Sequence, residues 1–290
     1  MTESISFFDA NNVEYLLHSD STKMVTTLKG VGAPDIQHFT QKTPFQDGEQ
    51  HLGYKFEPRK IIVGIYRNPA TRALLQTDHQ TLLTALRPDL GAGILKWTLN
   101  DGTIRQLDVW FSGGMKLDSD MQGIGLFQND VIELTAFSPF WYNPTANSTT
   151  AAMAVSTDLM FPFDFPFTLP SSGISANVTV TNNGQVDAWP TITINGPGLD
   201  PSIFNSTTGK RITITYTLAV GEYITIDSGI GAKTVTLTVG PANSNILGYM
   251  ASDSEFFPII PGANNLVFGL SATTVASSIV VAFYDPFLGV

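Results

Sequence analysis

Arg87-Pro-Asp-Leu-Gly-Ala-Gly-Ile-Leu-Lys-Trp-Thr-Leu-Asn-Asp-Gly102 constrains this chain more than any other stretch. Pro88 stops a preceding helix, because proline has no amide hydrogen to extend the ladder. Gly91 and Gly93 then frame a turn, and Ile94–Leu99 runs as a strand into a hairpin at Asn100-Asp101-Gly102. Downstream, Phe137-Ser-Pro-Phe-Trp-Tyr-Asn-Pro144 answers it with an aromatic phrase containing Pro139, Trp141 and Tyr142. Neither phrase concentrates reactive side chains, which points to a part that assembles rather than a catalyst.

The helix that Pro88 ends is predicted over about residues 69–87. Asn68 is its expected N-cap, with Pro69 at the first position. Ala70, Leu74, Leu82, Leu83 and Leu86 follow helical spacing, and Leu75 widens the stripe. Around it the first half is expected to be strand: Ser4–Ala10, Val13–Leu17, Met24–Leu28, Arg59–Ile65, Ile94–Leu99, Thr103–Phe111 and Asp130–Phe137. The second half reads as all β, with Val178–Thr181, Trp189–Ile194, Arg211–Leu218, Tyr223–Asp227, Thr234–Val239, Leu266–Leu270 and Ser278–Tyr284. Seven short strands separated by turns such as Asn182-Asn-Gly184 and Pro261-Gly-Ala-Asn264 favour a sandwich.

Charge divides the chain. Residues 1–143 carry 12 basic and 16 acidic side chains, and the remainder carries 3 and 9, within totals of 15 and 25. Pro144-Thr-Ala-Asn-Ser-Thr-Thr-Ala-Ala-Met153 is small and polar, as a linker is. The expected organisation is therefore a β-domain over 1–144, a linker or strap over 145–175, and a sandwich over 176–290. Within the linker, Phe161-Pro-Phe-Asp-Phe-Pro-Phe167 reads either as a strap docking on a neighbouring surface or as an edge strand opening the second domain. Only 14% of the 290 residues are charged, against roughly 25% in ordinary globular chains. That fits a β-rich surface covered in part by neighbours.

The net charge of −10 argues against wrapping nucleic acid, which needs clustered Lys and Arg. It leaves room for nucleic acid passing by a wall that does not hold it. With no cysteine there is no disulfide framework. The N-terminus lacks signal-peptide character, and no run approaches the roughly 20 apolar residues of a membrane span, so cytoplasmic synthesis is expected.

Chemistry is sought and mostly not found. His18, His38, His51 and His79 fall in separate segments without metal spacing, and read as surface or hydrogen-bonded side chains. Asp118 and Asp120 offer too few oxygens for a calcium loop. Asp253 and Glu255 read as a solvated turn rather than a glycosidase pair. Gly30-Val-Gly32 and Gly91-Ala-Gly93 lack the strand–loop–helix context of dinucleotide binding. Trp97, Trp110, Trp141 and Trp189 sit in or beside strands and read as packing residues. No catalytic residue, cofactor or metal is expected.

Taken in order along the chain, these phrases resemble the distal tail proteins of long, non-contractile-tailed bacteriophages. The resemblance rests on Phe45-Gln-Asp-Gly48, Arg59-Lys-Ile-Ile-Val-Gly-Ile65, Leu86-Arg87-Pro88, Gly91-Ala-Gly-Ile-Leu95, Asp101-Gly102 and Phe137-Ser-Pro-Phe-Trp-Tyr142. In the second half it rests on Asn182-Asn-Gly184, Trp189-Pro190 through Gly196, Gly221 through Asp227, and Pro261-Gly262 through Phe268. It covers nearly the whole chain. The resemblance implies a tail-tube-like split β-barrel with one helix, followed by a galectin-like β-sandwich. It further implies a hexameric ring around a DNA channel, located at the virion tail tip. Its partners would be the tail tube above and a tail-tip or tail-associated lysin protein below. Some relatives carry inserted carbohydrate-binding modules, for which 290 residues leave no room. A carbohydrate-binding adhesin built on the sandwich is the alternative, and a row of exposed Trp or Tyr beside Asn and Asp on one sheet would favour it.

Overall fold

A computed structural model describes residues 3–18, 22–45, 47–115, 128–153, 173–271 and 277–290. Asp118, Asp120 and the Phe161–Phe167 segment lie outside the described residues. The chain folds into two compact units, one of Met1–Pro144 with Phe287–Val290 and one of Thr145–Pro286. The fold is mainly β with one α-helix among the described residues.

The strands of the first unit are β1 (Ser4–Phe8), β2 (Glu14–His18), β3 (Lys23–Lys29), β4 (Ile36–Gln41), β5 (Gln50–Phe56) and β6 (Arg59–Arg67). Helix α1 (Arg72–Ala85) follows, then β7 (Gly93–Thr98), β8 (Ile104–Gly114), β9 (Gln128–Ala136) and β10 (Trp141–Tyr142). The main sheet runs β2-β1-β7-β8-β9-β6-β3, with β10 beside β8. Alternation drives it: along β9 every second side chain from Gln128 to Ala136 is buried. The long β8 serves both halves of the sheet. Ile104–Val109 pairs with β7, and Trp110–Gly114 pairs with β9 after a register shift between Phe111 and Gly113. Such a bulge bends the strand and lets the sheet curl. The curl brings Ile5, Phe7, Leu95 and Leu107 from one half onto Ile61, Val63, Ile132 and Leu134 from the other, in one core. β2 and β3 stand at opposite edges, yet Val25 donates its amide to His18 Nδ1 at 3.1 Å. The result is a split barrel whose edges meet without a ladder.

Helix α1 corrects two expectations. It starts at Arg72, because Thr71 is the N-cap and its Oγ1 accepts the Leu74 amide at 3.3 Å. Asn68 and Pro69 precede it. Its buried face is Leu75, His79, Leu82 and Ala85, continued by Leu86, whereas Leu74 and Leu83 are exposed. Leucines at neighbouring positions allow two overlapping stripes, and contact with the barrel selects one of them.

The closing phrase joins the barrel through Trp141 in its core and through the pairing of Tyr142 with Gln106 of β8. Trp141 is wholly buried, and Tyr142 donates to Asp108 Oδ1 at 2.6 Å. Arg59, also buried, donates to the Pro139 carbonyl from Nε at 2.9 Å and Nη2 at 2.7 Å. It reaches the Gly30 carbonyl at 2.8 Å, the Leu288 carbonyl at 2.7 Å, and the Gly32 carbonyl through Nη1. Phe287 packs on this core, and its ring lies 3.8 Å from the Arg105 guanidinium. The last four residues thus belong to the first unit. That corrects the expected boundary of 176–290, and the reason is the pull of Arg59 and the barrel core.

The second unit comprises β11 (Asn147–Met153), β12 (Gly173–Asn182), β13 (Thr191–Asn195), β14 (Gly198–Asn205), β15 (Lys210–Thr213) and β16 (Thr217–Leu218). It continues with β17 (Glu222–Asp227), β18 (Thr234–Val239), β19 (Ala242–Asn245), β20 (Gly262–Ser271) and β21 (Ser277–Phe283). One sheet runs β11-β21-β13-β17-β18-β19, and the other runs β12-β20-β14-β15 with β16 beside β14. Ile192, Ile194, Ile224, Ile226, Ile279 and Val281 of the first meet Val180, Ile203, Ile212, Leu266, Phe268 and Leu270 of the second. This is a sandwich with one apolar seam. Two readings change here. Residues 147–153, expected in a linker, pair with β21 from Asn147–Phe283 to Met153–Ser277, so the sandwich begins before 176. Arg211–Leu218 keeps its alternation but is broken into β15 and β16, with Ile214 bridging Met250 between them.

Gly93 is where β7 passes closest to β1: a Cβ there would lie 2.4 Å from Phe7 Cζ and 2.6 Å from the Phe8 carbonyl oxygen. Gly93→Ala is expected to cost about 1–3 kcal/mol through overpacking. A lowered urea midpoint would report it, with Gly53→Ala as a control because open space surrounds Gly53.

Candidate assembly surface

The signature residues read from the sequence are placed at turns, caps and close approaches. Arg87 precedes a short 3₁₀ turn, Pro88–Leu90, and its side chain pairs with Asp89 in solvent. That pairing lowers the Asp89 carboxyl and raises the Arg87 guanidinium. Gly91, Gly102, Gly221 and Gly262 hold φ between +85° and +94°, a region where a Cβ is strained. Asp101 Oδ1 accepts the Thr103 amide at 2.8 Å, which lowers the Asp101 carboxyl and closes the hairpin between β7 and β8. Gly184 lies under the Pro286 carbonyl, where a Cβ would come within 2.3 Å. The buried Pro190 offers its carbonyl to the Ser228 amide at 3.1 Å.

The other candidates are similarly engaged. Asp253 and Glu255 face Arg211 at 3.7 Å and Lys210 at 2.6 Å, so each carboxylate has a cation across β15. Trp97 Nε1 donates to Glu3 at 2.8 Å, Trp110 stacks edge-on with Phe137 at 5.1 Å, and Trp189 lies under Lys233 at 5.9 Å. Among the described residues no three His, Asp or Glu side chains converge as metal ligands. The histidines are less separate than their spacing suggests, because His38 Nδ1 and His51 Nε2 come within 3.2 Å on the β4–β5 hairpin.

One buried charge cluster lies under α1. Arg67 on β6 pairs with Asp130 on β9 and with Asp78 on α1 at 3.2 Å, and Asp78 also pairs with Lys23 on β3. Gln128 donates to Asp130 at 3.0 Å. Arg67 also lies 3.0 Å from His79 Nδ1. As the guanidinium can only donate, His79 accepts there and is neutral. Burial is the main cause that lowers the His79 imidazole, opposed by Asp130 and Asp78 and reinforced by Arg67. The cluster clamps the helix to three strands, β3, β6 and β9. A cavity of about 290 Å³ beside it is lined by Thr22, Lys23, Arg67, Pro69, Leu74, Thr77 and Asp78.

The exposed apolar side chains concentrate elsewhere. The β4–β5 hairpin forms its own two-stranded sheet, anchored at its root by an edge-on contact of Phe56 with Phe140 at 5.2 Å. Every side chain of β4 is exposed. Leu52 and Tyr54 are each 59% exposed, Ile36 and Phe39 45% each, and Phe45 at the tip is fully exposed. Sequence reasoning missed this hairpin because it has no buried face and therefore no period-two pattern. Its legible signal was a cluster of aromatics and leucine without alternation.

The outer face of the six-stranded sheet is of a different kind. Thr191, Thr193, Asn195, Thr225, Thr234, Thr236 and Ser278 point away from the core, alternating with buried isoleucine, valine and leucine. Tyr223 stands among them without a neighbouring aromatic on that face in the described residues. An aromatic row of the kind a sugar-binding sheet uses is not assembled there.

Comparison with known proteins gives the family context. Residues 183–284 match the model of the SPP1 Dit family, described as siphovirus-type tail component, C-terminal domain. Along 96% of this chain and 98% of the other, the fold matches that of phage SPP1 Dit, described as a paradigm of the hub adsorption apparatus in phages infecting Gram-positive bacteria. The TM-score is 0.65 at 15% identity. A chain of the phage P2 baseplate in its activated, calcium-containing conformation matches with a TM-score of 0.53 at 10% identity, covering 97% of this chain and 98% of that one. No curated protein sequence matches significantly. The resemblance to distal tail proteins is thereby borne out: residues 183–284 match the siphovirus-type tail-component model, and the whole chain has a fold similar to that of phage SPP1 Dit.

The charge cluster predicts a pH dependence. The folded His79 imidazole lies below its ordinary value of about 6.5, so the unfolded chain binds the extra proton first. Its stabilisation is complete above about pH 6.5 and is lost as the pH falls towards the lowered folded value. Urea midpoints should drop between pH 7.5 and 5.5, and His79→Gln, which keeps an acceptor for Arg67, should flatten that drop.

Proposed function

We propose that this protein is a structural distal tail hub, whose copies close into a hexameric ring that joins the tail tube to the tail tip and surrounds the DNA channel. The observation that carries the reading is the β4–β5 arm, a ribbon of exposed Phe39, Leu52 and Tyr54, on a chain with the hub-protein fold throughout. Isolated two-stranded ribbons are marginal in water, and an exposed apolar ribbon is stabilised by contact with another surface. A ring built from one repeated head-to-tail contact uses the arm of each copy on the barrel of the next. Six copies is the number that the resemblance to distal tail proteins implies. The barrel would line the channel, where its acidic balance, 16 acidic against 12 basic side chains over residues 1–143, disfavours adhesion of passing DNA.

The proposed partners are a second copy of this chain around the ring, the tail tube protein on one face, and the tail-tip or tail-associated lysin protein on the other. Its proposed location is the tail tip of the virion, after synthesis in the host cytoplasm. The role asks for rigid surfaces and no catalysis. The sugar-binding alternative lacks the aromatic row that would favour it on the six-stranded sheet.

Mass in solution over a concentration series, with electron microscopy of the particles, tests the reading. Rings of six are expected for the wild type. Phe39→Ser, Leu52→Ser and Tyr54→Ser combined should leave a folded monomer with nearly unchanged melting temperature, because these side chains are exposed. A chain that stays monomeric at every concentration, alone and with tail tube protein added, and that binds a cell-wall glycan tightly would overturn the hub reading.

A further inference from the structure

We propose that His38 and His51 form a transition-metal site on the β4–β5 arm, taking a divalent ion of the Zn²⁺, Ni²⁺, Co²⁺ or Cu²⁺ class. The two residues are 13 positions apart, and strand pairing is what unites them. In β4–β5, Phe39 pairs with Gly53 and Thr40 pairs with His51, so Leu52 is an extra residue in β5. A one-residue slip moves every following side chain to the other face of a strand. His38 and Thr40 share a face, two residues apart, and the bulge turns His51 onto that face opposite Thr40. Without the extra residue, His51 would point away from His38.

The geometry suits a chelate. His38 Nδ1 and His51 Nε2 are 3.2 Å apart, with ring centroids at 5.3 Å and ring planes inclined by 61°. Two imidazole nitrogens held about 2.0–2.1 Å from a tetrahedral Zn²⁺ are about 3.3 Å apart. The observed N···N separation is thus within about a tenth or two of an ångström of the chelate's, and the rings would turn so that both lone pairs face the ion. Neutral imidazole selects borderline first-row metals, whereas Ca²⁺ and Mg²⁺ require oxygen cages. Glu49, on the same hairpin, is occupied: it accepts from the Thr40 hydroxyl and pairs with Lys42 Nζ at 3.0 Å. The protein therefore supplies two nitrogens, and water fills the remaining positions.

The position gives the site its consequence. The hairpin is a sheet of its own, outside the nine-stranded sheet of its unit, and holds itself by one ladder. Two-stranded ribbons are marginal alone. A metal bridging β4 and β5 binds the paired hairpin and not the open one, so it stabilises the pairing by mass action. The site is a clamp that stiffens the arm.

Calorimetric titration of Zn²⁺ into the metal-stripped full chain at pH 7.5 tests the site. One equivalent should bind to the wild type and to His18→Gln, and that binding should be lost in His38→Ala and in His51→Ala. At ten times the measured Kd, amide exchange over residues 36–56 should slow about tenfold in the wild type, reverse with EDTA, and stay unchanged with Mg²⁺. The site is refuted by the absence of binding at millimolar Zn²⁺, or by its persistence in the double variant. Binding that leaves exchange over 36–56 unaltered refutes the clamp.

Discussion

The first unit depends on how Arg59 is satisfied. Its guanidinium donates to four carbonyls, those of Gly30, Gly32, Pro139 and Leu288, which belong to three segments far apart in the chain. These are loop carbonyls that no sheet ladder can pair, and a buried carbonyl without a partner is costly. One planar side chain with five donors meets the need of all four. Burial lowers the guanidinium, and Asp35 opposes that shift. The barrel is therefore complete only when the closing phrase and the last four residues are both in place.

A second cationic centre, Arg67, works by a different rule. It is paired with carboxylates on a strand and on the helix, and neutral His79 accepts one more of its bonds. Removing one partner from such a cluster leaves another charge stranded, which is how buried pairs enforce one arrangement. Arg59 thus orders the loops and Arg67 orders the helix. With the interior so constrained, the exposed hairpin is the part left available for contact with other surfaces.

Much of this architecture was legible in the chain. The alternating strands β6, β9, β13, β17 and β18 are clear because one face of each is buried, and burial writes a period of two into the sequence. The helix was legible in existence and in its end shortly before Pro88. Its face was not, because Leu74-Leu75 and Leu82-Leu83 allow two stripes and only contact with the barrel selects one. β11 was hidden because Asn147–Met153 is built of small residues, and strand pairing through the backbone needs no large side chain. β4 and β5 were hidden for the opposite reason, having large side chains and no buried face. The exposed residues of the arm carried no motif that spacing could reveal.

By itself the sequence determined the class of this protein: mainly β, one helix, a turn-rich second half, few charges and no clustered reactive groups. Those properties follow from local periodicity and composition, which each segment carries alone. Tertiary structure decided which carbonyls Arg59 gathers, which leucines α1 buries, where the last four residues belong, and that His38 and His51 meet. Each of these depends on register and on contacts between distant segments. A single extra residue such as Leu52 reverses a face without leaving a mark in the local pattern.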